Sequence, residues 1–305
     1  MFKNFTEINN LLVEYLDSGK PFSLLRIDNT MGYVLECLHK NEFPVQEFYN
    51  QNTLVEGGIY PSDMEYAYEV VMPLARKAMT DCDILGFVDI SQSIRNNESF
   101  YSQFGQKPMF SGVHEIDVLD PAGMLNVTGT RPLDIPWTSK LKDKRVLVVS
   151  THCDTINHQW ANIDKIWGDN RKIVAPFELV GTIRSPYHPM MDSRQYPNTH
   201  SWLDNVNAVL NEIDNYEYDV LIAGSSTSSP IYATHAASKG KIGIQTGGVH
   251  QLFFGILGYR WTEVPGYSAW HKMYNEHWIY PLESDEPTNR KNYGFLETNY
   301  AYWRR

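Results

Sequence analysis

The stretch DVLIAGSSTSSPIYATHAASKGKIGIQTGGVHQLFFGILGYRW, Asp219 to Trp261, decides the fold. It opens on an apolar run, Val220 to Ala223, which breaks at Gly224 into the hydroxyl-rich segment Ser225-Ser226-Thr227-Ser228-Ser229. Pro230 then starts a helix-like run through Ala237, Lys239-Gly240 ends it, and Ile242 to Gln245 reads as a second strand before Gly247-Gly248. This is a strand, loop, helix, strand unit with a small-residue loop at the carboxyl end of each strand. Loops so placed bring backbone N–H groups and a helix N-terminus close to an anion, which is how α/β proteins commonly hold nucleotide phosphates.

Outward from this unit the alternation continues. Lys144 to Ser150 contains the continuous apolar run Val146 to Val149, as suits a parallel strand buried on both faces. A helix is expected from about Thr155 to Trp167, a strand or extended segment over Ile173 to Leu179, and a helix from about Ser201 to Ile213. Near the start, Phe5 to Leu16 has helical spacing, Phe22 to Ile27 reads as a buried strand, and Asp28 or Asn29 would cap a helix through His39. Ser62 with Glu65 suggests a capping box for a helix from Asp63 to Thr80, followed by a strand at Asp83 to Asp89. Residues 90–142 are irregular and read as short helices and loops. These elements predict one α/β domain over residues 1–305, a mainly parallel sheet with helices on both faces, with sub-lobes of about 1–142 and 143–305 as a finer division. After Trp261 an aromatic, proline-punctuated tail is expected to wrap the domain.

A formal charge of −10 argues against nucleic acid as the main partner, because phosphate binding depends on clustered Lys and Arg. Cys37, Cys82 and Cys153 are widely spaced and lack a CxxC, which indicates neither a disulfide framework nor a zinc site. No run is long and apolar enough to span a bilayer, so no integral membrane segment is expected. A cytoplasmic chain, free or peripheral to a membrane, follows; the pattern specifies no oligomeric state.

Three constellations carry candidate chemistry. The loop containing Gly224, Ser225 and Ser226 suits a phosphate cradle, although it is neither a Walker motif nor a dinucleotide fingerprint. Gly247 and Gly248 permit close backbone approach to a ligand, with His250 and Gln251 at the same edge; a tight turn and a structural histidine are the plainer readings. The second group is Arg26-Ile27-Asp28-Asn29. A cation at the end of a buried strand needs an anion, either a diphosphate or an internal carboxylate, and Asp28 is placed to act as a base or bind a divalent metal. In the third group, Ser150 to Asp154, His152 and Asp154 stand at the carboxyl edge of the clearest strand, where Asp154 would otherwise serve as a helix cap. No GxSxG elbow accompanies them, so a hydrolase triad is not indicated.

The segments FSLLRIDNTMGYVL, GGIYPSD, KRVLVVSTHCDTINHQ, AGSSTSSPIYATHAASKGKIGIQTGGVHQLFFGILGYRW and NEHWIYPLESDEP, with a terminal YW, together resemble bacterial and phage glycosyltransferases of the GT-D fold. The resemblance runs from about residue 22 to 303, and GGVHQLFFGILGYRW is its most specific part. It implies a Rossmann-like sheet and transfer of a sugar from a nucleotide diphosphate sugar to a glycan or glycolipid hydroxyl. The family tends to carry Arg-x-Gly-x-x-Glu with acids that go with Mn2+ or Mg2+. Here its Arg matches Arg26, its Gly falls on Asp28, its middle acid on Asn29 and its Glu on Met31. The implied roles are Asp28 as base or metal ligand, His152 and Asp154 as alternative bases, and Arg26 with the Gly224 and Gly247 loops on the leaving-group side. Glu283 and Glu286 are placed to reach the acceptor or to be solvated surface. A noncatalytic nucleotide- or glycan-binding relative and an α/β methyltransferase are the other readings.

Overall fold

A computed structural model describes residues 3–27, 31–32, 54–88, 101–112, 136–171, 173–189, 192–194, 196, 198–263, 271, 273–293 and 301–303. The first helix, α1 (Phe5–Ser18), forms where sequence and capping agree. Asn4 accepts from the Glu7 N–H, Glu7 accepts from the Asn4 N–H, and Gly19 ends the helix at φ 64°. Its Ile8, Leu12 and Leu16 repeat every four residues, and all three are buried.

The strands β1 (Phe22–Ile27), β2 (Ile84–Val88), β3 (Met109–Gly112), β4 (Arg145–Ser150), β5 (Glu178–Arg184), β6 (Val220–Ala223) and β7 (Ile242–Gln245) form one sheet of order β3-β2-β1-β7-β6-β4-β5. Every pairing is parallel. The β1–β7 ladder joins strands from both halves of the chain, so the sheet runs unbroken across residues 142 and 143.

Alternation along the strands sorts the core into two faces. Leu24, Val146, Val148, Ile222 and Ile244 pack on one face with α1, with α3 (Cys153–Trp160) and α4 (Ile163–Trp167), and with the 249–256 segment. On the opposite face Leu25 and Phe87 meet α2, which comprises Met64–Tyr66, a π-helical stretch Ala67–Val71 and Met72–Asp81. Leu147, Val149 and Leu221 meet α5 (Trp202–Ile213) and α6 (Ser229–Ser238) on that same face. This is the arrangement that right-handed crossovers require, because moves toward β3 and moves toward β5 place their helices on opposite faces. The chain leaves β4 toward one face and β6 toward the other, so the carboxyl ends of these neighbours open the crevice where ligands lie in such sheets.

Several sequence expectations shift. The strand expected at Ile173 to Leu179 is instead Glu178–Arg184. It is an edge strand, largely half-buried, and so lacks a continuous apolar run; Gly181 makes room there for Tyr216. Edge strand β3 was hidden for the same reason, within residues read as loop. Asp63 rather than Ser62 caps α2, accepting from the Tyr66 N–H, while Ser62 donates to the Ile59 carbonyl. The helix expected over Thr155 to Trp167 breaks at 161–162 into α3 and α4. Most of the helix expected through His39, and residues 90–100 and 113–135 of the irregular region, lie outside the described residues. Part of the tail does wrap the domain, with Trp278, Ala301 and Trp303 buried. Among the described residues, no helix is long and apolar enough to cross a membrane.

Candidate functional site

The loops after β4, β6 and β7 meet at one sheet edge. Gly224 follows β6, and its N–H donates to the Val149 carbonyl of β4. A side chain at Gly224 would run into the His250 imidazole and would stand 2.8 Å from the Gly247 carbonyl. A side chain at Gly248 would enter the Tyr302 ring. The close approaches that these glycines permit are therefore made by the protein's own side chains.

His250 is fixed from both sides. Its Nδ1 lies 2.6 Å from the Gly247 carbonyl, which can only accept, so Nδ1 carries a proton, and Nε2 shares a hydrogen bond with Ser150 Oγ at 2.7 Å. Gln251 is fully buried; it accepts from Trp261 Nε1 at 2.8 Å and donates to the Tyr302 carbonyl at 3.1 Å. His250 braces the Gly247 turn against β4, and Gln251 ties that turn to the tail. His152 is 2 % exposed and stacks on Trp303, with ring centres 4.7 Å apart. Burial, then the neighbouring His250 and Arg184, hold it well below the usual imidazole range, so it is neutral near pH 7.

The hydroxyl loop has a different character. Ser225 N–H donates to Ser229 Oγ at 2.5 Å, Ser228 Oγ donates to the Ser225 carbonyl at 2.7 Å, and Thr227 Oγ1 donates to the Gly57 carbonyl at 2.6 Å. Ser226 takes a positive φ of 42°, which folds the loop tightly over the start of α6. Ser225 is 7 % exposed, and its Oγ is buried with no hydrogen-bond partner among the described residues. At the start of α6 the Ser229 N–H already donates to the Ser226 carbonyl, and Pro230 has no N–H. An enclosed hydroxyl beside a helix N-terminus suits an oxyanion, and its desolvation costs about 1–3 kcal/mol while it stays unpaired.

Asp154 is not the cap of α3 but sits in its first turn, about half exposed, and pairs with Arg184 at 3.2 Å. The capping group is Asp285, from the tail. Its carboxylate, 0 % exposed, accepts from the N–H groups of Asp154 at 3.1 Å and Thr155 at 2.7 Å, and from Thr155 Oγ1 at 2.6 Å. Arg184 meets the same carboxylate at 2.7 Å and donates to the Thr151 carbonyl at 2.9 Å. Arg194, chelated by Asp192 at 2.8 Å, donates to the carbonyls of Ser284, Asp285 and Glu286 and straps the tail down. Of the two tail acids singled out from sequence, Glu283 is exposed and Glu286 pairs with Arg290 at 2.9 Å.

Arg26 is 2 % exposed in β1, and its N–H donates to Gln245 Oε1 at 3.0 Å. Asp28 and Asn29 lie outside the described residues. Met31, where the resembled family has Glu, is buried in the apolar cluster of Leu25, Ile27 and Phe87. Among the described residues no three His, Cys, Asp or Glu side chains group as metal ligands would. Residues that sequence reasoning missed are Asp285, Arg184, Arg260 and Tyr302. For the last two a signal existed, since both stand in the GYRW and terminal YW segments.

His188, in the loop after β5, touches Ser62 Oγ at 2.5 Å and packs edge-on to Tyr60. Burial lowers it to about 4, against 6.5 for an ordinary histidine. Between those values the unfolded chain takes up a proton that the folded chain refuses, so stability is intact above pH 6.5 and falls as pH drops toward 4. Urea unfolding at a series of pH values in that window should show the decline. His188→Gln should flatten it in part, with His152 supplying the remainder.

Comparison with protein-family models, with curated proteins and with solved structures finds no match for this chain.

Proposed function

We propose that this chain is a glycosyltransferase that moves a sugar from a nucleotide diphosphate sugar to a glycan hydroxyl. The observation that carries the reading is the Ser225 hydroxyl, enclosed without a described partner at the start of α6, on the β4/β6 crevice of a parallel sheet. The sequence resemblance supports the same reading, because its most specific segment forms the adjoining turn and tail seat. The two supports are independent, one a polar group awaiting an acceptor and the other a pattern of residues.

Glycosyl transfer needs a group that takes the acceptor proton and donors that meet the charge developing on the leaving diphosphate. His152 is poorly suited to the first task, being enclosed, packed against Trp303 and held well below the usual imidazole range, which makes it a weak base. Asp154, half exposed at the carboxyl edge of β4, is the described carboxylate that fits it, and Asp28 is the candidate beyond the described residues. The second task falls to the enclosed Ser225 hydroxyl, with a guanidinium for the remaining charge. The described residues do not group as the ligands of a Mn2+ or Mg2+ site would.

Isothermal titration with UDP, GDP and S-adenosylhomocysteine, with and without Mn2+, tests the reading. A nucleoside diphosphate should bind, and Ser225→Val should weaken it about tenfold by removing one hydrogen bond to a charged group. Failure of every diphosphate under every metal condition would sink the transferase reading, and binding of S-adenosylhomocysteine alone would favour a methyltransferase. The burial of Met31 at the family's acid position favours one second reading, a relative that binds nucleotide without turnover. It would bind diphosphate yet release no nucleotide from any sugar donor.

A further inference from the structure

We infer that Arg260 is the cation that meets the distal phosphate of the bound nucleotide diphosphate, an assignment that rests on the nucleotide-sugar reading above. Arg260 lies in α7 (Tyr259–Glu263), half-buried. Its N–H donates to the Ala301 carbonyl at 2.9 Å, and its Nη1 donates to Tyr302 Oη at 2.9 Å. Its guanidinium carbon stands 4.6 Å from the Tyr302 ring centre and 5.7 Å from that of Trp261. Two aromatic rings therefore hold one cation. Stacking engages the flat faces of a guanidinium, while recognition of an oxyanion uses its N–H edge, so the two interactions are compatible.

The clamp is itself anchored. Trp261 Nε1 donates to Gln251 Oε1, and Gln251 Nε2 donates to the Tyr302 carbonyl, so the Trp261 ring and the Tyr302 backbone are anchored by one fully buried amide. A network of this kind fixes the guanidinium in place before any ligand arrives, which lowers the ordering cost of binding.

Position links the clamp to the Ser225 loop through successive contacts. Gly224, next to Ser225, faces the Gly247 carbonyl, with 2.8 Å to the position a Cβ would take. Gly248 faces Tyr302, with 2.9 Å from its own Cβ position to the Tyr302 hydroxyl oxygen. Arg260 Nη1 is one hydrogen bond beyond that oxygen. Substituting Gly248 would push Tyr302 away, so the glycine preserves the seat of the clamp. On this assignment a diphosphate has two phosphates to distribute, one for Ser225 and one for the guanidinium. A nucleoside monophosphate, with one phosphate, engages one of the two.

The test compares UDP, GDP, UMP, GMP and inorganic pyrophosphate on wild type, Arg260→Met and Arg260→Lys by calorimetry. Arg260→Met should weaken the diphosphates and pyrophosphate about tenfold, and the monophosphates less than about twofold, with Lys intermediate. Equal losses for UDP and UMP, or no loss for UDP, overturn the assignment. Should Arg260→Met unfold, Tyr302→Phe carries the test, since it removes only the hydroxyl that orients the guanidinium; it should weaken UDP about threefold and spare UMP. If wild type binds pyrophosphate but no nucleotide, the nucleotide reading falls while the Arg260 comparison still stands on pyrophosphate. If wild type binds neither, both fall.

Discussion

Asp285→Ala is expected to destabilise the fold by about 3–5 kcal/mol, the range for stripping one partner from a buried ion pair. The carboxylate is fully enclosed and satisfies four donors at once: the N–H groups of Asp154 and Thr155, the Thr155 hydroxyl and Arg184. Removing it leaves the first turn of α3 uncapped and a guanidinium short of its nearest counter-charge, and the positive end of the helix dipole then adds to the imbalance. Arg184 retains Asp154, which limits the loss at its own end. Asp285→Asn should cost less, because an amide oxygen can still accept from the helix N–H groups. Formate, small enough to enter the vacated space, should recover part of the stability of the Ala variant. Urea unfolding decides the matter: a loss below about 1 kcal/mol, the level of an exposed carboxylate, would show that the tail is not held as described.

Gly243→Ala is the second large effect, expected at roughly 3 kcal/mol or more, the upper end for overpacking a core. Gly243 lies in β7 between Ser23 of β1 and Leu221 of β6, so the strand cannot slide aside. A Cβ there would come within 2.6 Å of the Ala233 carbonyl carbon and 2.7 Å of its Cα, which are backbone atoms of α6. No rotamer change relieves a clash with backbone, and the whole helix must move off the sheet. Because α6 carries the Ser225 loop at its start, nucleotide affinity should fall together with stability. A variant with wild-type unfolding and wild-type UDP binding would contradict the packing of α6 on β7. Ala233→Gly in the same chain should recover little, since the obstructing atoms are carbonyl and Cα.

The strands that sequence reading placed best are those buried on both faces. Val220–Ala223 and Ile242–Gln245 were expected at their observed bounds, and Lys144 to Ser150 differs from β4 by one residue. Continuous apolar runs of that kind follow from parallel pairing under two helical layers. Edge strand β5 starts five residues after the segment expected for it, and β3 falls among residues read as loop, because an edge does not demand apolar residues on both sides. The candidate residues after β4, β6 and β7 do lie together at one sheet edge, yet their surroundings were not legible. His250 and Gln251 turn out to be enclosed braces, and the spaces beside Gly224 and Gly248 are taken by His250 and Tyr302. Periodicity tells which way a side chain faces, and it carries no information about which distant group fills the space in front of it.

The amino-acid sequence by itself determined a parallel α/β sheet with small-residue loops after β6 and β7, because burial on two faces and tight turns each impose a local residue pattern. The tertiary structure alone decided what meets at those loops. Asp285 reaches the start of α3 across 130 positions from Thr155, and Tyr302 reaches back to the carbonyl-bonded amide of Gln251 across 51. Contacts at such separations are set by how the tail packs over the finished sheet, where one buried carboxylate offsets one guanidinium and one ring fills the space one glycine leaves.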